Sequence, residues 1–125
     1  MSEKQSPLAR KTNQEYDPDF FRRFADLSYT WESWRNLAGD FIYVSPSCEW
    51  ISGYPPEEFY HNNKLMEKII HPDQLKRWLN HQHKVLETGD HESLDFLIVT
   101  KSGLEKWISH YCYTVYKKNG KPLGV

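Results

Sequence analysis

The chain has 125 residues, 38% of them hydrophobic, 26% charged and 15% aromatic, with a formal net charge of -1. That is the length of one ordinary domain whose apolar bulk comes as large rings, which excludes a disordered chain and a core too small to stand without staples. The balanced, scattered charge excludes an electrostatic footprint for nucleic acid or direct contact with an anionic membrane, and two distant cysteines, Cys48 and Cys112, make neither a disulfide framework nor a paired metal or redox motif.

Residues 1–16 mix Ser, Gln, Lys and Asn without a period and read as a disordered tail, lacking the apolar run of a signal peptide. Asp17-Pro18-Asp19 supplies a cap, a first-turn proline and an acid for a flanking helix over 17–28, with Phe20, Phe21, Phe24 and Leu27 on one face. Alternation of rings and polar residues then predicts strands over 29–35 and 41–45 about the Ala38-Gly39-Asp40 turn. Ser45-Pro46-Ser47 ends the second strand and opens one helical turn carrying Cys48, Trp50 and Ile51, which Gly53 closes as a left-handed cap. Pro55-Pro56-Glu57-Glu58-Phe59 begins a second short helix, and Leu65, Met66, Ile69 and Ile70 suit a third.

His71-Pro72-Asp73 starts the longest helix, in which Leu75, Trp78, Leu79, Gln82, Val85 and Leu86 recur at three and four until Gly89 ends it. After Gly89-Asp90 the period becomes two, with long strands over 92–100 and 104–116 joined at Lys101-Ser102-Gly103. Asn119-Gly120 turns the chain into 122–125, the beginning of a fifth strand that is expected to be truncated. The expected fold class is α+β: a five-stranded antiparallel sheet with helices on one face, plus the N-terminal amphipathic helix.

Four stretches, in this order and spacing, resemble the PAS superfamily, in the variant common in bacterial sensor histidine kinases and GGDEF diguanylate cyclases. They are Tyr43-Val44-Ser45-Pro46-Ser47 with Gly53-Tyr54, Pro56-Glu57-Glu58-Phe59, Ile70-His71-Pro72-Asp73, and Lys101-Ser102-Gly103 with Trp107 and Asn119-Gly120-Lys121-Pro122. The resemblance covers 29–125 and implies a bacterial, cytoplasmic sensory box, free or within a membrane-anchored signalling protein of a two-component type. It implies no catalysis in the domain itself and an output domain, kinase or diguanylate cyclase, further along a longer chain. The motifs serve the scaffold and are silent on the ligand. Two departures stand out: Asp95-Phe96 is followed by Leu97 where the family often has a base, and the chain stops before the family's closing Asp-Ile-Thr-like segment.

PAS-like domains hold small molecules between the sheet and the long helix, so Leu75, Trp78, Leu79 and Gln82 are the helix's expected contributors. If Phe96 points inward, so do Leu94 and Ile98, and resemblance to flavin-binding relatives places Ile108, His110 and Cys112 on the same side. His110 and Gln82 are then the polar handles, His110 either anchoring a ligand or hydrogen-bonded within the core. The cofactor is unknown. The helix over 65–70 lacks the reactive cysteine of flavin photosensors, and His81, expected to face water, argues against haem.

The same parity puts Leu97, Val99, Trp107, Tyr111 and Tyr113 on the outer face of the sheet, too apolar to stay in water as one patch. The helix bearing Phe20, Phe21, Phe24 and Leu27 is the available cover, on its own sheet or on that of a second copy, and a homodimer is expected. Two other readings stay open: a ligand-free interaction module, and a small enzyme using Cys112 or a His71–Asp73 pair.

Overall fold

The computed structural model describes residues 19–89 and 92–125, apart from the side chains of Leu86 and Glu92. The expected tail, the cap residues Asp17 and Pro18, and Asp90 lie outside the described residues. Helix α1 (Phe20–Asp26) precedes strands β1 (Ser33–Arg35) and β2 (Phe41–Val44). Short helices α2 (Ser47–Ser52), α3 (Pro56–His61) and α4 (Leu65–Ile69) lead into the long α5 (Pro72–Thr88). Strands β3 (Glu92–Val99), β4 (Glu105–Cys112), β5 (Val115–Tyr116) and β6 (Pro122–Gly124) complete the order.

The strands form three antiparallel ladders, β1–β2, β3–β4 and β5–β6. The long strand expected over 104–116 is interrupted at Tyr113 and Thr114. There the Thr114 hydroxyl donates to the Val85 carbonyl of α5 at 2.9 Å, which draws the backbone towards the helix and out of the ladder. Strand β6 reaches back to β1: Asn36 bridges Gly124, and Arg35 and Val125 exchange backbone hydrogen bonds of 2.7 and 2.9 Å. The α+β class, the antiparallel pairing and the order of elements through β4 agree with the sequence reading, while the single five-stranded sheet it expected is, among the described residues, six strands in three two-stranded ladders.

Local chemistry explains the junctions. The buried hydroxyls of Ser45 and Ser47 lie 2.8 Å apart. Ser47 donates to the Thr30 carbonyl and the Glu32 N–H donates to Ser45, both at 2.8 Å, so the Ser-Pro-Ser turn is sewn to the chain entering β1. The Gly53 φ of +84° ends α2 in the left-handed region, which a side chain adopts only at a cost. Just beyond it, the Ser52 carbonyl accepts from the Lys101 N–H at 2.9 Å, while the Lys101 ammonium meets the Glu58 carboxylate at 2.9 Å and Lys106 donates to the Ile51 carbonyl at 3.1 Å. The tip of the β3–β4 hairpin is thus pinned to α2 and α3.

The start of α5 is fixed as firmly. His71 Nδ1 accepts from the Asp73 N–H at 3.2 Å as the cap, and the His71 N–H donates to the Leu97 carbonyl at 2.9 Å, beside a bridge between Ile70 and Ile98. The core gathers Phe41, Phe59, Met66, Ile69, Trp78 and Phe96. Burying such side chains stabilises the fold by roughly 1.5–3 kcal/mol each.

The buried stripe of α5 is Trp78, His81 and Val85. Two expectations are corrected here: Leu79 is 46% exposed instead of inward, and His81 is 5% exposed instead of facing water. Leu75, Leu79 and Gln82 lie to one side of the Trp78 position on the helix and His81 and Val85 to the other, so the three-and-four spacing permits two stripes about 100° apart. The stripe that wins lets His81 pack edge-on against His110, ring centroids 5.1 Å apart, and sets the Val85 carbonyl to receive Thr114.

A Cβ at residue 53 would lie 2.9 Å from Lys101 Cβ, whereas one at residue 103, also at positive φ, would meet nothing within 4 Å. Gly53→Ala is expected to lower the urea-unfolding free energy by more than about 1 kcal/mol and by more than Gly103→Ala; equal losses would show that the Lys101 contact carries nothing.

Candidate functional site

A cavity of about 800 Å³ runs between two stretches of backbone, 30–35 on one side and 106–113 on the other. Trp78, Gln82, Phe96, Ile108, His110 and Cys112, six of the residues expected to contact a ligand, line it. Leu75 is half-buried against the core and Ile98 is fully enclosed within it. Leu79 faces solvent, away from the cavity, because α5 turns the other stripe inward.

The cavity is not closed by the sheet. Trp107, Tyr111 and Tyr113, of the outer face, line it together with inner-face residues, because β1 and β4 present edges to the same space. Among the described residues β4 is paired by β3 alone, and the second edge of β1 is met at Arg35 by Val125. The space is therefore part ligand-sized pocket and part slot between two strand edges, with Val125 among its lining residues.

Polar groups converge on it. Trp34 Nε1, Trp78 Nε1 and His110 Nε2 are buried without a hydrogen-bond partner, and all three residues line the cavity. A buried polar atom left unmade costs about 1–3 kcal/mol, so three around one space mark a place that favours a polar occupant. Burial, with a smaller push from His81, lowers the His110 pKa to about 4, which leaves the ring neutral at physiological pH.

Arg35 is a cavity residue that the sequence reading missed. Its guanidinium lies 4.5 Å from the Phe41 ring centroid and 5.9 Å from that of Trp78, donates to the carbonyls of Gly39 and Asn63, and pairs with Glu67 at 3.3 Å. Asn63 and Glu67 lie 28 and 32 residues along the chain, so no local pattern announces the pair. The one signal available was an arginine closing a ring-rich strand.

His81 on α5 and His110 and Cys112 on β4 bring one donor atom each to within 4.8 Å of one another. His81 is buried, so its position on α5 no longer speaks against haem. Neither cysteine is an activated nucleophile: burial pushes the Cys48 thiol up to about 12, where it donates to the Tyr54 carbonyl at 3.2 Å, and burial raises Cys112 as well. His71 serves as a helix cap, its Nδ1 3.8 Å from the Asp73 carboxylate.

The outer surface carries the residues expected at a dimer interface. Helix α1 buries none of its residues; Phe20, Phe21, Phe24 and Leu27 are all exposed. It leans on β2, where the Tyr43 hydroxyl donates to Asp26 at 2.6 Å and the Arg22 guanidinium lies 5.3 Å from the Tyr43 ring. Burial and Asp26 both hold the Tyr43 hydroxyl far above its ordinary pKa. Trp107 is 66% exposed and Tyr111 is similarly open, while Leu97 is half-buried. Their parity on the outer face is as expected, and α1 of the same chain does not cover them. No helix among the described residues is long and apolar enough to cross a membrane.

A PAS domain from Colwellia psychrerythraea superposes with a TM-score of 0.73 at 17% identity, over 85% of this chain and 88% of that one. The N-terminal domain of a diguanylate cyclase with PAS/PAC sensor from Marinobacter aquaeolei gives 0.67 at 21% identity, over 74% and 85%. A sensory box histidine kinase/response regulator from Burkholderia thailandensis gives 0.58 at 24%, over 85% and 78%. No curated protein matches the chain. The family profile of the PAS fold matches residues 41–125, from β2 through the last residue, and with the antiparallel ladders and capped helices in place the chain belongs to the PAS fold family.

Proposed function

We propose that this chain is a sensory module whose cavity takes a small molecule bearing a hydrogen-bond acceptor, and that occupancy regulates an output domain further along a longer cytoplasmic protein. The output domain on this reading is a histidine kinase or a diguanylate cyclase. The observation that carries the ligand is the convergence of Trp34 Nε1, Trp78 Nε1 and His110 Nε2, all lacking partners, on one cavity. Two of these are indole N–H donors, and Arg35, already paired with Glu67, also lines the space. The ligand class this favours is an apolar body with a carbonyl or carboxylate end. Similar structures named for a diguanylate cyclase and a histidine kinase support the output half of the reading. The domain performs no chemistry of its own: its buried thiols are protonated and His71 is spent as a cap.

One observation favours a second occupant. The reciprocal Arg35–Val125 hydrogen bonds seat the end of β6 against β1, and a further extended segment in that register would lie between β1 and β4. On that reading the slot is filled by main chain and the module works by protein interaction alone, without a ligand.

Native mass spectrometry of the purified chain, exposed to a small-molecule extract of its expression host, separates the two. A retained mass of a few hundred daltons is expected, with Trp78→Phe, which keeps an aromatic side chain but removes the pyrrole ring and its N–H, cutting retention at least about tenfold. An apo mass under all loading conditions defeats the ligand and leaves the interaction module standing.

The homodimer belongs to the same proposal. Each chain carries two exposed apolar surfaces, the α1 stripe and the outer face of β3–β4, and a two-fold arrangement lets each helix cover the partner's sheet. Light scattering of wild type is expected to give twice the chain mass, and Phe24→Glu to weaken the dimer at least about tenfold; an unchanged monomer-to-dimer ratio in the variant rules this interface out.

A further inference from the structure

The cluster of His81, His110 and Cys112 shares His110 with the proposed ligand site, but its grouping of three metal-binding donor atoms is a separate observation that the sensory reading does not use. His110 and Cys112 are two residues apart on β4 and therefore share a face, and α5 brings His81 over them. Their donor atoms lie within 4.8 Å of one another, His81 and Cys112 are buried, and His110 Nε2 has no hydrogen-bond partner. The other described histidines are placed differently: His61 is exposed at the end of α3, His83 sits on the exposed side of α5 and pairs with Glu87 at 2.7 Å, and His71 caps the same helix.

We propose that His81, His110 and Cys112 bind a single Zn²⁺ ion. Two imidazoles and a thiolate are the donor types this borderline-soft cation selects, and with no carboxylate among the three the set does not suit Ca²⁺ or Mg²⁺. Three protein ligands leave a fourth, open tetrahedral position, and since His110 and Cys112 both line the cavity, that position faces an accessible space. Tetrahedral bonds of about 2.0–2.3 Å put ligand atoms roughly 3.3–3.7 Å apart, so the cluster closes by about 1 Å through side-chain rotation on loading.

The protonation states suit this. Burial keeps His110 neutral, which is the form that ligates, and supplies a nitrogen whose lone pair or proton nothing else engages. The Cys112 thiol, raised by burial, gives up its proton as the sulfur–metal bond forms, so uptake releases one proton to solvent. Two neutral imidazoles and one thiolate leave the loaded centre with a net single positive charge. Its open position then takes water or an anionic group.

Co²⁺ reports on such a site by absorption. The chelator-stripped chain, kept reduced, is titrated with Co²⁺ and then with Zn²⁺. Wild type is expected to take up one equivalent of Co²⁺ with intense visible bands of a tetrahedral centre and a near-ultraviolet thiolate-to-metal band, both erased by one equivalent of Zn²⁺. Cys112→Ser, nearly isosteric, is expected to lose the thiolate band and at least tenfold in affinity. His110→Gln is expected to lose at least tenfold, and His83→Ala to bind as wild type does. Far-ultraviolet circular dichroism checks that each variant folds, and His81→Gln replaces His110→Gln if the latter does not. The proposal is overturned if wild type takes up neither metal, if the thiolate band survives in Cys112→Ser, or if His83→Ala abolishes binding.

Discussion

Trp78 joins three parts of the molecule. Its ring is almost wholly buried in the core that Phe41, Phe59 and Phe96 also occupy, it lines the cavity, and it receives the Arg35 guanidinium at 5.9 Å. The helix that carries it is held at one end by the His71–Leu97 backbone hydrogen bond and further along by the Val85–Thr114 contact. Those two attachments set how α5 is rotated about its axis, and that rotation decides that His81 meets β4 and Leu79 meets water. Cavity lining and imidazole pairing both follow from one helix being turned one way.

What could be read from the sequence was local. Ser45-Pro46-Ser47, Gly53, His71-Pro72-Asp73 and Gly89 mark helix starts and stops because caps, prolines and positive φ act over a few residues. Strand parity was legible for the same reason within β3, where Ile98 follows Phe96 inward by the two-residue period, whereas the facing of Cys112 inward and of Trp107, Tyr111 and Tyr113 outward came from the resemblance to flavin-binding relatives. The rotation of α5 was not legible, since both stripes beside Trp78 satisfy the same spacing and the choice rests on what β4 presents. The Arg35–Glu67 pair was hidden by its distance along the chain, as was the interruption at Tyr113 and Thr114, whose cause is a carbonyl on α5.

The polar interior has a pattern of its own. Where a buried polar group serves the scaffold it is satisfied: Ser45, Ser47 and Ser52 each make hydrogen bonds of 2.7–2.8 Å that hold turns. Around the cavity the opposite holds, with Trp34, Trp78 and His110 each retaining an unmet nitrogen, as does one oxygen of Glu67 beside Arg35. A fold that satisfies its structural polar groups and leaves a few unmet in one place concentrates its tolerance for change there.

The fastening of the β3–β4 hairpin gives this asymmetry a mechanical side. Near its tip, Ser52, Glu58 and Ile51 clamp Lys101 and Lys106, while at the other end Cys112 sits beside the interruption that leads to β5. At that end the Thr114–Val85 hydrogen bond ties the chain to α5, so the two ends of the hairpin answer to different helices, α2 and α3 at the tip and α5 at the base. From there the chain runs through β5 and β6 to Val125, which is fastened to Arg35 of β1, so the base of the hairpin is joined by a short stretch of chain to the strand across the cavity.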